Sequence, residues 1–164
     1  MSLLNIEIDL SAALARLTGQ PAALVRRAGI LAAKRAAEQY ADDIHDWIRA
    51  GKSYTPRPPV AGDKTIEQGL GWKAQGEGAV VFSQTWPRAL YIEFGTRAHL
   101  IRPKPGRKAL RWFPGGTGGA MIRREVHHPG TTAQPFFFAD LPARQGRMLD
   151  AAREAVAEVL GAAS

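Results

Sequence analysis

Between Pro21 and Gly51, the apolar residues Ile30, Ala33, Ala37, Tyr40, Ala41, Ile44, Trp47 and Ile48 recur at intervals of three and four. That spacing places them on one stripe of an α-helix, and a stripe this long has to be covered by another element. Pro21 suits the first turn, where a missing N–H is not needed, and Gly51 suits the stop. Near the other end of the chain Met148, Leu149, Ala152, Val156, Val159 and Leu160 make a second stripe. Pro142 is expected to divide that region into a short piece and a longer helix from about Ala143, with Phe136-Phe137-Phe138 as an aromatic anchor before it. Gly29 costs about 1 kcal/mol relative to alanine inside the first helix, so it leaves room there for a bend or close packing.

The segments outside the two helices read mainly as strands and loops. Leu4, Ile6, Ile8 and Leu10 alternate with polar residues, the period of a half-buried strand, and Ser11 can cap a short helix from Ala12 to Leu17. Ser53 to Asp63 holds Pro56, Pro58, Pro59 and Gly62 and reads as a long exposed loop, 53–63. Strands are expected over Thr65 to Ala74, Gly78 to Gln84 and Leu90 to Phe94, with a hairpin turn at Gln75-Gly76-Glu77-Gly78. His99 to Arg102 and Ala109 to Phe113 flank Pro103-Lys104-Pro105-Gly106-Arg107-Lys108, which reads as a second hairpin with a stiff basic tip. Gly115 to Gly119 is a glycine-rich loop, and Met121 to His127 a final strand. The expected architecture is α+β: a mostly antiparallel sheet packed against a long N-terminal helix and a C-terminal helix, with long projecting loops, in one domain over 1–164.

The formal charge of +7 is concentrated in one stretch. From Arg97 to Glu125 stand Arg97, Arg102, Lys104, Arg107, Lys108, Arg111, Arg123 and Arg124 against a single acid, Glu125; outside it, acids and bases balance. An acidic patch on a protein neighbour or a polyanion is the natural partner for such a segment, and a solvated hairpin is the plainer alternative. The first long helix carries its charges against its own dipole. Arg26, Arg27, Lys34 and Arg35 lie toward its start, and Glu38, Asp42, Asp43 and Asp46 toward its end, at a few tenths of a kcal/mol each. Asp42, Asp43 and Asp46 are therefore expected to meet basic residues, those of the 97–125 segment among them, on the same chain or on a neighbour.

Signals for chemistry are thin. There is no cysteine, which excludes disulfides and thiolate metal sites. The nucleophile-elbow, zinc-protease and dinucleotide-binding motifs are absent, and the glycine run at 115–119 lacks the lysine of a phosphate loop. His127 and His128 are adjacent and would face opposite sides of a strand, and Glu93 with His99 is the one conceivable acid–base pair. Trp112, between Arg111 and Phe113, is the one tryptophan placed to stack on nucleic acid; core or interface anchoring is the ordinary role for such residues. No catalytic residue, cofactor or metal is expected. No stretch approaches the roughly 20 apolar residues needed to span a bilayer, and a start bearing Glu7 and Asp9 without basic residues is unlike a signal peptide, so no membrane partner is expected.

One ordered set of motifs is familiar. Tyr91-Ile92-Glu93-Phe94-Gly95-Thr96-Arg97-Ala98-His99 is followed by Ile101-Arg102-Pro103-Lys104 and Lys108-Ala109-Leu110. A glycine-rich break, His128-Pro129-Gly130-Thr131 and Gln134-Pro135-Phe136-Phe137 come next. This order resembles the tail-completion and head–tail joining proteins of long-tailed bacteriophages, over roughly residues 88–140. Many members carry Ala-Pro-x-x-Thr-Gly after the long helix, where this chain has Tyr54-Thr55-Pro56-Arg57-Pro58-Pro59. The resemblance implies a structural virion protein, made in the host cytoplasm. It would form a ring, usually sixfold, around the DNA channel at the head-proximal end of the tail. Its neighbours would be sister copies, tail-tube or terminator proteins and head-connector proteins, with non-specific contact to genomic DNA in the channel. It also implies structural roles for Glu93, Phe94, Gly95, Thr96, His128, Pro129, Gly130, Pro135 and Phe136. On the residues themselves, Phe94-Gly95-Thr96 is expected to end a core strand in a sharp turn. Contact roles fall to Arg102, Lys104, Arg107, Lys108, Arg111, Arg123 and Arg124 on the basic segment. A basic nucleic-acid-binding accessory protein is the alternative reading.

Overall fold

The computed structural model describes residues 10, 14, 17–52, 64–85, 87–112 and 119–162. Nearly all of the strand expected over Leu4 to Leu10, most of the helix expected over Ala12 to Leu17, the loop 53–63, Trp86 and the glycine run up to residue 118 lie outside them. Helix α1 runs from Ala22 to Arg49, with Pro21 at its N-cap (φ −56°). It stops at Gly51, which takes φ +61° and donates its N–H to the Ile48 carbonyl. The buried face of α1 is Ala28, Ala32, Ala36, Ala37, Tyr40, Ala41, Ile44 and Ile48. Helix α4, Leu141–Gly161, buries Arg144, Met148, Ala152, Ala155, Val156 and Val159, and the α1–α4 contact is the main one in the fold. Alanines on both faces let the two helices approach closely, while Tyr40, Ile44, Ile48, Met148 and Val156 supply the bulk of the apolar area, each worth about 1.5–3 kcal/mol. Gly29 faces open space inside the unbroken α1, so no neighbour packs closely against it.

Thr65 closes a capping box with Gln68 and starts a one-turn helix α2, Ile66–Gly69, where a strand was expected. Gln68 N–H donates to Thr65 Oγ1 and Thr65 N–H donates to Gln68 Oε1, each at 3.0 Å. Strands β1, Leu70–Gln75, and β2, Gly78–Ser83, then form the predicted antiparallel hairpin around Gly76 (φ +60°) and pack on α1. Helix α3, Arg88–Phe94, replaces the strand expected over Leu90 to Phe94. A short apolar run does not declare its period. Here the helix wins because spacing four brings Ala89 and Glu93 to the same buried face.

The remaining strands are β3 (His99–Ile101), β4 (Leu110–Trp112), β5 (Met121–Arg123) and β6 (Val126–His128). The predicted hairpin between His99–Arg102 and Ala109–Phe113 does not form. β3 pairs with β6 (His99↔His128, Ile101↔Val126), and β4 pairs with β5 (Leu110↔Arg123, Trp112↔Met121). The single strand expected over Met121 to His127 is two, interrupted at Arg124 and Glu125. One nested antiparallel ribbon results, running out through β3 and β4 and back through β5 and β6. Pro103–Lys108 is a side excursion of the outgoing strand, not the tip. Its turn is closed by Arg107 N–H donating to the Lys104 carbonyl, with Pro105 before Gly106 at φ +83°. Pro142 does not divide the last helix; it sits in the first turn of α4, where its missing N–H is harmless. The fold class is α+β, with three two-stranded antiparallel ribbons instead of one sheet.

Candidate functional site

No described residue between 95 and 135 belongs to the hydrophobic core, whose last member before the ribbon is Ala89 and whose next is Phe136. The ribbon is therefore an arm, and its root is where the motifs that carry the sequence resemblance come together. Glu93, only 3% exposed, accepts three backbone hydrogen bonds. Phe136 N–H and Phe137 N–H donate to its Oε2 at 2.8 Å each, and Phe138 N–H donates to its Oε1 at 3.0 Å. A carboxylate is the side chain best able to satisfy three convergent amides, and each such charge-assisted bond is stronger than a neutral one. Arg144, fully buried, holds the other side of the same turn: its Nη1 donates to the Phe136 and Phe137 carbonyls at 2.8 and 2.9 Å. Among the described residues its Nε and Nη2 have no hydrogen-bond partner. The guanidinium lies 5.7 Å from the Tyr40 ring and 5.2 Å from the Trp47 ring, where cation–π attraction offsets part of its desolvation.

Tyr40 O–H also donates to the Phe137 carbonyl, at 2.6 Å. Burial pushes its phenol up to about 12; Arg144 pulls the other way, and the charges of Glu93 and Asp43 add to the rise. Phe136-Phe137-Phe138 is thus an anchor in two senses. Phe136 and Phe137 fill the core, and the backbone of the run is gripped by an acid from below the arm and a base from α4.

Beyond Glu93 the two halves of the motif set face each other. Thr96 and Thr131 exchange both backbone hydrogen bonds at 3.0 Å, and their hydroxyls lie 3.0 Å apart. Gly95 (φ +70°) and Gly130 (φ +90°) flank this bridge. A Cβ on Gly95 would stand 2.8 Å from Ala133 N and closer still to the Thr131 oxygen; one on Gly130 would stand 2.9 Å from the Arg97 carbonyl carbon. Both glycines are required twice over, by conformation and by contact. Gly95 ends a helix, not the strand expected from Phe94-Gly95-Thr96. His128 Nδ1 accepts the Gly130 N–H at 3.0 Å, closing the turn through Pro129. His99 Nδ1–H donates to the Arg97 carbonyl at 2.8 Å, and the His99 and His128 rings stack at 5.0 Å. Glu93 and His99 thus have separate partners and form no acid–base pair. Pro135 precedes the anchor, and Phe94, 63% exposed, leans on Phe138 with ring centroids 6.2 Å apart.

The predicted contact residues separate into two groups. Arg102, Lys104, Arg107, Lys108, Arg111, Arg123 and Arg124 are all exposed on the arm, and Arg102 pairs loosely with Glu125 at 3.7 Å. Within the chain the acidic end of α1 does not meet them. Asp43 takes both its oxygens to Arg147 Nε on α4 (3.0 and 2.9 Å) and accepts from Gln39, and Asp46 lies 3.9 Å from Arg49. At the other end of α1, Arg26 pairs with Glu77 of the β1–β2 turn at 2.9 Å. Exposed pairs of this kind contribute about 0–1 kcal/mol each. Asp42 instead lines a groove with Glu38 on α1 and Glu154 and Glu158 on α4.

Arg144 is the residue that sequence reasoning missed. Its signal was present: 144, 148, 152 and 156 continue the apolar stripe at spacing four, so a helix starting before Ala143 had to bury an arginine. Among the described residues no group of three or more histidines and acids could hold a metal ion, and no helix is long and apolar enough to cross a membrane. Compared with protein-family models, curated proteins and solved structures, the chain matches none of them.

Proposed function

We propose that this chain is a structural subunit of a long-tailed bacteriophage particle, a tail-completion or head–tail joining protein. It works in a ring, sixfold by the resemblance, at the head-proximal end of the tail around the DNA channel. It is assembled from the host cytoplasm into the virion, beside tail-tube or terminator proteins and head-connector proteins. The observation that carries this reading is the coincidence of motif and mechanics. Glu93, Gly95, Thr96, Gly130, Thr131 and Phe136, which carry the sequence resemblance, are the residues that brace the arm. The polar groups that might suggest chemistry, Glu93 and Arg144, are buried and committed to backbone, which favours a contact protein over an enzyme. A projecting, firmly rooted arm that adds nothing to its own core is what a subunit needs for gripping neighbours.

Removing the polypeptide from a phage that encodes it is expected to leave filled heads and separate tails, counted by electron microscopy. Particles that join and infect normally without it would overturn the reading. The density of exposed cations on the arm favours one other reading, a free nucleic-acid-binding accessory protein. Tight duplex binding by the isolated chain, falling steeply with salt, would select it.

A further inference from the structure

We infer that the arm of one copy docks into the acidic groove between α1 and α4 of a second copy; this rests on the assembly reading above and names the surfaces it would use. The groove, about 340 Å³, has Ala151 and Ala155 along its floor and acids on both walls: Glu38 and Asp42 from α1, Glu154 and Glu158 from α4. One base stands there, Arg35, and it is held by Glu38 at 3.3 Å. Asp42, Glu154 and Glu158 have no ion pair among the described residues. The arm has the opposite balance. Lys104, Arg107, Lys108 and Arg124 are exposed and without an ion pair among the described residues, and Arg107 is carried on a turn stiffened by Pro103 and Pro105.

Two observations choose a protein occupant for the arm over a nucleic acid. Ile122 is 61% exposed on β5, with Ile101 and Met121 also outward on the ribbon, and Tyr91 and Phe94 are exposed at its root. Apolar side chains interleaved with cations suit a protein surface, whose burial of them is favourable, and are wasted against phosphates. The groove meets the cations with its acidic rim, and Ala151 adds a small apolar surface between the acids. The contact joins two different surfaces of one chain, so it is heterologous and propagates from copy to copy until the rotation closes, the geometry a ring requires.

The chain has no cysteine, so introduced thiols report the contact without background. One preparation carries Arg107→Cys and a second carries Glu158→Cys; they are mixed and oxidised, with Ala23→Cys replacing the groove thiol as control. Cross-linking of Arg107→Cys to Glu158→Cys is expected to run at least about tenfold faster than to the control, to weaken with salt, and to fall on adding Glu154→Lys. Adding Lys104→Glu to the arm partner is then expected to recover part of that loss. Copies that associate yet cross-link at the control rate would overturn the groove while leaving the assembly reading standing. So would a Lys104→Glu, Arg107→Glu chain that loses duplex DNA binding but keeps self-association. Failure of the assembly reading itself is seen separately, in particles that form without the chain.

Discussion

Ile44 and Ile122 are the same residue in two regions with opposite roles. Ile44 is fully buried on α1, packed into the core, whereas Ile122 stands 61% exposed on β5. The body is held by apolar area between α1, α4 and the β1–β2 hairpin, and the polar residues buried in it are few. Among the described residues the arm adds none to the core. Its conformation comes from backbone pairing, two glycines and a root clamped by Glu93 and Arg144. A region without a core can keep a fixed direction if its attachment is over-determined, and it then has its side chains free for contact with others.

The largest expected effect falls on the clamp, where the two regions join. Glu93→Ala strands two buried amide donors and one half-buried one and should lower stability by about 3–5 kcal/mol in a urea titration, with loss of exchange protection at the amides of 136–138. A loss under about 1 kcal/mol would mean that the arm is not attached through this residue. Ile44→Ala tests the body alone and should remove about 2–5 kcal/mol through the cavity it leaves. Gly130→Ala tests the arm root alone. The positive φ and the close backbone should together cost about 2–4 kcal/mol, and a neutral outcome would show that the root yields easily.

Tyr40 sharpens the comparison through pH. Its folded-state value of about 12 exceeds the ordinary 10, so the folded chain holds this proton more tightly than the unfolded one. That contribution, about 2–3 kcal/mol, is complete below pH 10 and is lost as pH rises through 12. Tyr40→Phe should flatten the stability profile in that window, at the expense of the bond to the Phe137 carbonyl. The smallest effect belongs to the arm surface. Ile122→Ala should stay within about 0.5 kcal/mol of the parent by the same denaturation measurement, and a large loss would reveal a partner inside the chain.

The helices were legible because their apolar residues repeat along one chain. The stripes through Tyr40 and Ile44 and through Met148 and Val156 state their period without reference to anything else. The hairpin at Gly76 was legible for the same local reason. The run Leu90 to Phe94 was not, since four apolar residues around one acid fit either period until Ala89 and Glu93 find a common buried face. Thr65 and Gln68 stand at the spacing of a capping box, a helix start inside the span expected as a strand.

Local order along the chain therefore determined α+β character, the two long helices, the positions of the tight turns and the concentration of charge between Arg97 and Glu125. Pairing of β3 with β6 and β4 with β5, and the meeting of Glu93 with Phe136 and of Asp43 with Arg147, were decided only in three dimensions. Partners separated by 25 to 104 residues, from Ile101 and Val126 in β3–β6 to Asp43 and Arg147, are chosen by competition among all surfaces at once. The winner is the arrangement that leaves the fewest buried groups unsatisfied, a sum that no single stretch of sequence contains.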